Sequence, residues 1–351
     1  MSEITRKLAS IRRIGAVEPI PGADRIVLAH VDGWKVVVKA GEFAPGDLCV
    51  YFEIDSFLPV KPEYEFLRKA CFRSTANLGD GFRIKTIKLR GQISQGLVLP
   101  VAEVLMTEAG LINAPEGTDL TEWLGVKKWE LPGSTVLRGD AKGSFPSFIP
   151  KTDQERAQNL IEKIRARSDE GFEVTMKFDG SSMTIYRDFE GNIGVCSRNI
   201  DLKEDDENTF WKTAKKSGVI EWLKTLPFPI ALQGELMGPG IQGNRENLPD
   251  HKFFLFDIFD IDLGRYYTPP ERMEFGGAHG LHRYIEHVPV LHDCFVPGPV
   301  NCADPIAALM VIAEGPSYNH NVRREGVVFK SWDSDFTFKV IANSYLLEND
   351  A

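Results

Sequence analysis

The sequence predicts a two-domain α+β protein, a small all-β barrel followed by a larger domain of antiparallel sheets and helices. Three observations carry this. Residues 1–130 break into short strands at regular spacing with Gly turns. Residues 131–150 contain Pro132, Gly133, Gly139, Gly143, Pro146 and Pro150, the composition of a linker. Beyond them, strand-like and helix-like stretches alternate. A chain of 351 residues is expected to form two domains, and 43% hydrophobic residues are enough for full cores. The expected boundaries are a domain at 1–130, a linker at 131–150 and a second domain at 151–351.

In the first domain, residues 8–18, 26–31, 34–38 and 48–52 read as strands. Asp32-Gly33 between two of them is a hairpin signal, and Gly41 and Gly46 bracket another turn. Residues 83–89 and 96–99 add two more strands. The run Glu18-Pro19-Ile20-Pro21-Gly22-Ala23-Asp24-Arg25-Ile26, followed by a strand and Gly33, resembles OB-fold tRNA-binding domains. An OB-like barrel is the expectation.

In the second domain, Thr152 and Glu155 have capping-box spacing, and Ala157, Leu160, Ile161 and Ile164 form a helical apolar stripe. Arg156, Gln158 and Asn159 would lie on its polar, solvated face. Residues 172–176 alternate apolar and polar, the period of a half-buried strand. Strands follow at 183–186, 193–198, 230–235 and 253–259. Helices are expected at 207–224 and 303–313, with closing strands at 327–330 and 336–341. Most of these strands should be antiparallel.

Composition excludes some classes. The five cysteines show no Cys-x-x-Cys spacing, so neither a zinc site nor a disulfide framework is expected. A cytoplasmic or other reducing compartment fits, with no targeting segment and no apolar run long enough to span a membrane. The net charge is −9 but unevenly spread. Residues 1–150 carry 19 Lys and Arg against 18 Asp and Glu; the remainder carries 22 against 32. Residues 68–90 hold seven basic residues and one acidic. Arg83, Lys85, Lys88 and Arg90 from this window are the expected nucleic-acid contacts.

The chemistry centres on Lys177-Phe178-Asp179-Gly180, a Lys-x-Asp-Gly signature at the end of the 172–176 strand. A lysine amine so placed can attack the α-phosphate of a nucleotide, and Gly180 lets the chain turn close to a phosphate. Further residues suited to nucleotidyl transfer follow in order near strand ends. They are Ser197-Arg198-Asn199, Gly234-Glu235-Leu236, Phe254-Leu255-Phe256-Asp257, Glu325-Gly326-Val327-Val328-Phe329-Lys330, and Lys339.

This order resembles the covalent nucleotidyltransferases: DNA ligases, RNA ligases and capping enzymes. Glu235-Leu236-Met237-Gly238-Pro239-Gly240-Ile241-Gln242-Gly243-Asn244 is similar to the third motif of phage-type RNA ligases. The whole chain, β domain included, resembles RNA ligases of the Deinococcus type. The resemblance implies an ATP-grasp-like adenylation fold, with Lys177 as the nucleophile that carries AMP. It implies AMP contacts from Met176, Asp179, Gly180, Arg198, Glu235, Phe256, Lys330 and Lys339, with adenine stacked on Phe256. Glu235 and Glu325 would serve a ribose hydroxyl and a hydrated Mg²⁺ or Mn²⁺. The cations Lys330, Lys339 and Arg198 are expected to favour the neutral amine of Lys177.

The implied activity is ATP-dependent RNA ligation of the EC 6.5.1.3 type, sealing 3′-OH/5′-phosphate nicks in RNA or RNA/DNA duplexes, by a monomer with no membrane partner. A capping-type guanylyltransferase and a non-catalytic RNA-binding protein on a ligase fold are the alternatives. Two departures stand out. Ser182 replaces the Asn of the phage-type motif, and Thr337 stands where the last motif usually has a second lysine. Only about a dozen residues follow Lys339, whereas DNA ligases and capping enzymes usually continue into a further OB domain.

Overall fold

The computed structural model describes residues 6–105, 113–129, 140–298 and 304–349. Residues 131–139 of the expected linker lie outside the described residues. Two compact units emerge, one built mainly from residues 5–134 and the other from 135–157 and 162–345.

In the N-terminal unit, five antiparallel strands run in the order Leu97–Pro100, Leu48–Phe52, Ala9–Pro19, Ile26–Val31, Trp34–Lys39. The first strand of the chain serves two neighbours. Its residues 9–13 pair with Leu48–Phe52, and residues 14–19 pair with Ile26–Val31, with a slip of register within that second pairing between Ile14 and Ala16. Such a bulge bends a strand and lets a small barrel curl. Asp32 takes φ 49 in the two-residue turn that the sequence predicted. A second sheet orders Lys127–Lys128, Ser56–Pro59, Gly79–Arg83 and Phe72–Thr75. Ile11, Val50, Phe52, Leu58, Tyr64 and Phe82 are buried in one cluster of this unit.

The single strand expected at 83–89 is two. Gly79–Arg83 ends where Ile84 donates its N–H to Ser56, and Thr86–Leu89 then opens a hairpin with Gln92–Gln95. Arg90 and Gly91 turn that hairpin with φ 49 and 84, the two left-handed residues a tight turn of this kind demands.

The helix expected from Thr152 is corrected. Only a 3₁₀ turn at Ala157–Asn159 and a short helix at Ile161–Arg165 form. The cause is competition for backbone groups. Arg156 bridges to Lys339 as a parallel strand partner, and the carbonyl of Glu155 accepts from the Lys339 N–H at 2.9 Å. A helix would need those groups. The solvated face is corrected too, since Arg156 and Gln158 are buried. Residues 158–161 group with the N-terminal unit. There Asn159 accepts from Trp34 Nε1 at 2.7 Å and donates to Glu53 at 2.6 Å.

The C-terminal unit has two sheets. The larger orders Ala141–Ser144, Ile200–Leu202, Ile193–Cys196, Ser181–Arg187, Ile230–Met237, Lys252–Asp260 and Arg265–Tyr266, with Glu286–His287 added in parallel to Lys252–Asp260. The strand at 141–144 lies in a stretch read from sequence as linker. The smaller sheet orders Val290–Phe295, Phe172–Lys177, Gly326–Ser331 and Thr337–Ile341, all antiparallel. Helices Thr209–Ser217 and Val219–Lys224 cover one face of the larger sheet, with Trp211, Leu223, Leu232 and Ile258 in a common core. Gly218, at φ 78, breaks what the sequence suggested was one helix. A helix the sequence reading passed over, Pro269–Ala278, has a complete capping box of Thr268 and Glu271. No helix among the described residues is long and apolar enough to cross a membrane.

Candidate active site

The Lys-x-Asp-Gly segment is the crossover between the two sheets of the C-terminal unit. Phe172–Lys177 belongs to the smaller sheet and Ser181–Arg187 to the larger. Lys177 therefore sits at one strand end, facing Glu235 of the neighbouring sheet. Gly180 is obligatory at this crossing. A Cβ there would lie 2.3 Å from Met237 Sδ and 2.8 Å from Glu235 Cγ. Its N–H instead donates to Glu235 Oε1 at 3.1 Å, which orients that carboxylate. Phe178 anchors the crossing by packing edge-on against Phe254, with ring centroids 4.9 Å apart.

The 172–177 strand is buried on both faces, not the half-buried strand its alternation predicts. Its polar side is covered by an ion pair and by the site. Glu173 accepts from Arg272 at 2.6 Å, both side chains being 3% exposed, and Thr175 lines the cleft.

A cleft of about 360 Å³ opens between the strand ends. The residues expected at the nucleotide from sequence all border it: Met176, Lys177, Asp179, Gly180, Arg198, Glu235, Phe256, Glu325, Lys330 and Lys339. The side chain of Met176 packs in the apolar cluster of Phe178, Met237 and Phe254, so it supports the cleft from behind.

The electrostatics of Lys177 run opposite to the expectation. Its Nζ donates to both oxygens of Glu325 at 2.8 Å. Burial disfavours the ammonium, but Glu325, Glu235 and Asp179 outweigh it and raise the pKa. In this state Lys177 is held protonated by carboxylates. The same crowding acts on the acids. Burial pushes Glu325 up, and it pushes Glu235 up to about 8 against the pull of Lys177.

The three cations differ. Lys339 donates to Asp153 at 2.8 Å, and burial, with Arg156 and Lys177 nearby, lowers it to about 8. Arg198 is half-exposed and pairs with the same Asp153 at 3.3 Å. Lys330 is buried, donates to Asp257 at 2.6 Å and to the carbonyl of Phe256, and stands 5.4 Å from the Phe256 ring. Burial lowers its pKa, and its neighbouring charges are Asp257, Arg272 and Glu173. It pairs across the ladder with Glu173, four residues from Lys177. That separation is roughly 13 Å along a strand. Lys330 thus fixes the wall that carries Phe256, and it is not among the main charges acting on Lys177.

Sequence reasoning missed Asp153, which gathers Lys339 and Arg198, and Tyr345, whose hydroxyl donates to Asp179 at 2.7 Å. Neither lies in a recognisable motif. Among the described residues no cluster of three or more His, Cys, Asp or Glu is preassembled for a metal. Glu325, Glu235 and Asp179 nevertheless place hard oxygen donors around Lys177. That donor set suits a hydrated Mg²⁺ or Mn²⁺ held partly by phosphate, not an all-protein cage.

In the N-terminal unit, Lys88 and Arg90 are exposed on the Thr86–Leu89 hairpin. Lys85 is half-buried before it, and Arg83 lies over Trp129 at 5.0 Å.

A barrel domain, followed by two antiparallel sheets with a carboxylate-bound lysine at their crossover, defines an OB-fold domain joined to a ligase-type nucleotidyltransferase domain. Comparison with known proteins agrees. An OB-fold domain family matches residues 8–101, and the RNA ligase family matches residues 170–341. A Naegleria gruberi RNA ligase solved with PPi is 46% identical, with a TM-score of 0.89, covering 97% of this chain and 98% of that one. A mutant of the same enzyme solved with ATP and Mn is likewise 46% identical, with a TM-score of 0.89 over the same shares of the two chains. No curated protein matches the chain. The chain belongs to the RNA ligase family.

Proposed function

We propose that this chain is an ATP-dependent RNA ligase that seals 3′-OH/5′-phosphate nicks in duplex nucleic acid through a lysyl-AMP intermediate, with RNA on the 3′-OH side. It acts as a monomer and is of the Deinococcus type. Residues 1–130 grip nucleic acid and 151–351 form the adenylation domain; 131–150 join them, with Ala141–Ser144 paired into the sheet of the second. The observation that carries the reading is Lys177, ringed by Glu325, Glu235 and Asp179 inside a cleft whose other wall presents Lys339, Arg198 and Phe256. The similar Naegleria structures hold PPi, or ATP and Mn, which supports ATP as the nucleotide and a divalent cation as the cofactor.

In the first step the neutral amine of Lys177 attacks the α-phosphorus of ATP. A nitrogen–phosphorus bond forms, the bond to the bridging oxygen breaks, and pyrophosphate leaves with that electron pair. Lys339 and Arg198 are placed to offset the phosphate charge in that transition state. Phe256 offers its face to adenine, with Lys330 fixing the strand behind it. Glu235 faces the ribose. The amine must lose a proton before it reacts, and the surrounding carboxylates resist this. A Mg²⁺ or Mn²⁺ at Glu325, Glu235 and Asp179 would supply the positive charge that offsets them. AMP then passes to a 5′-phosphate, and the 3′-hydroxyl displaces AMP to close the strand.

Incubation with labelled ATP and divalent metal, read on a denaturing gel, tests this. The expected result is covalent label, absent in Lys177→Ala. Label that persists in Lys177→Ala would sink the reading, and labelling by GTP alone would favour a capping activity.

A further inference from the structure

We propose that Tyr345 is a positioning residue for lysyl-AMP formation, one that acts through Asp179 by holding its carboxylate off the Lys177 amine. The inference rests on the ligase reading above and adds a residue that lies outside its motifs.

Asp179 follows Lys177 by two residues and borders the same cleft. Yet Lys177 Nζ bonds to Glu325 and not to Asp179. The Asp179 carboxylate instead accepts from Tyr345 Oη at 2.7 Å, the one hydrogen bond it makes among the described residues. A carboxylate can only accept, so the phenolic hydroxyl is the donor in this pair.

Tyr345 is itself fixed. The Arg245 guanidinium lies 5.0 Å from its ring centroid. Arg245 also donates to the carbonyl of Arg323 at 3.1 Å, and its own carbonyl accepts from Asn319 at 3.0 Å. The tyrosine enters on the helix Asn343–Asn349, directly after the strand Thr337–Ile341 that delivers Lys339. One short segment thus supplies both a phosphate-side cation and the tether of Asp179. Without the hydroxyl, the Asp179 side chain is free to close on the ammonium. It would then form a second ion pair that must be broken before the amine can attack. The tether therefore lowers the barrier to the chemical step and leaves ATP binding largely alone.

The test compares Tyr345→Phe with Tyr345→Ala in the full-length protein. Wild-type labelling, lost in Lys177→Ala, first establishes the ligase reading; its absence would overturn that reading by itself. Single-turnover lysyl-AMP formation is then followed over a range of ATP concentrations, alongside thermal melting. Tyr345→Phe keeps the ring under Arg245 and should melt near the wild type. It should nevertheless lose about tenfold or more in maximal rate, the scale of a hydrogen bond to a charged group, with the KM for ATP little changed. A packing role alone predicts the reverse: Tyr345→Phe at the wild-type rate and only Tyr345→Ala slow and less stable. That result overturns the proposal, as does a loss confined to KM.

Discussion

At the scale of single residues, the site's most telling property is that Lys177, Glu235, Glu325 and Lys339 crowd together at partly buried positions, while Arg198 stays half-exposed. Glu235, pushed up to about 8 by burial, is costly to ionise in the fold. An acid whose folded pKa is raised binds its proton more tightly folded than unfolded. Its unfavourable contribution is absent below the ordinary carboxylate pKa and complete above about 8. Glu235→Gln should therefore raise the melting temperature by a few degrees at pH 8–9 and by little near pH 5. Melting curves across that range check it; no gain at high pH would show that Glu235 ionises without penalty. Lys339, lowered to about 8 by burial, has the opposite sign. It is charged below that value and neutral above it. If its charge serves the transition state, kcat/KM for lysyl-AMP formation should fall on the alkaline side near pH 8. Lys339→Arg, whose charge persists, should move that limb upward even if the overall rate drops. A limb unmoved in that variant would assign it to another group. Residue identities at the cleft were legible because they sit in short contiguous runs such as Lys177-Phe178-Asp179-Gly180 and Glu325-Gly326. The distances were not. Sequence pointed to three activating cations, whereas the fold puts a carboxylate on Lys177 and sends Lys330 to Asp257.

At the scale of elements, local patterning located many strands of both units but passed over others, Ser56–Pro59, Phe72–Thr75 and Val290–Phe295 among them. It failed where tertiary pairing overrides local preference. Thr152 and Glu155 have the spacing of a helix start, but the chain there bridges Lys339, and that partner lies far away in sequence. The basic window shows the same limit. Its charges were countable, but its division into the end of Gly79–Arg83 and a separate hairpin was not. That division matters for function. Lys88 and Arg90 stand exposed near the hairpin turn, whereas Arg83 is committed to Trp129. Changing Lys85, Lys88 and Arg90 to Glu should weaken binding of a nicked duplex and leave lysyl-AMP formation intact. Each lost phosphate contact should make the slope of log K against log salt shallower by about 0.9. Titration at several salt concentrations reads both, and an unchanged slope would remove this hairpin from the nucleic-acid surface.

At the scale of the whole molecule, charge and chemistry are divided between the two parts of the chain. The near-neutral first 150 residues contain the basic window, while the remainder, with 22 basic against 32 acidic residues, contains the cleft around Lys177. A strongly acidic part has little general affinity for a polyanion, so a substrate whose ends are already aligned suits it best. A template that holds the 3′-hydroxyl beside the 5′-phosphate lowers the entropic cost of the last step. The 2′-hydroxyl at the reacting end is the group that separates RNA from DNA there, and it also favours A-form geometry. A site that hydrogen-bonds this group rejects DNA, because its own polar groups would be left unpaired. Four nicked duplexes, RNA or DNA on the 3′-OH side crossed with RNA or DNA on the 5′-phosphate side, decide the matter. Sealing should require RNA on the 3′-OH side and tolerate either sugar on the other. Equal sealing of all four would make the chain a general polynucleotide ligase, and faster joining of unpaired ends would show that alignment by a template is not what the site exploits.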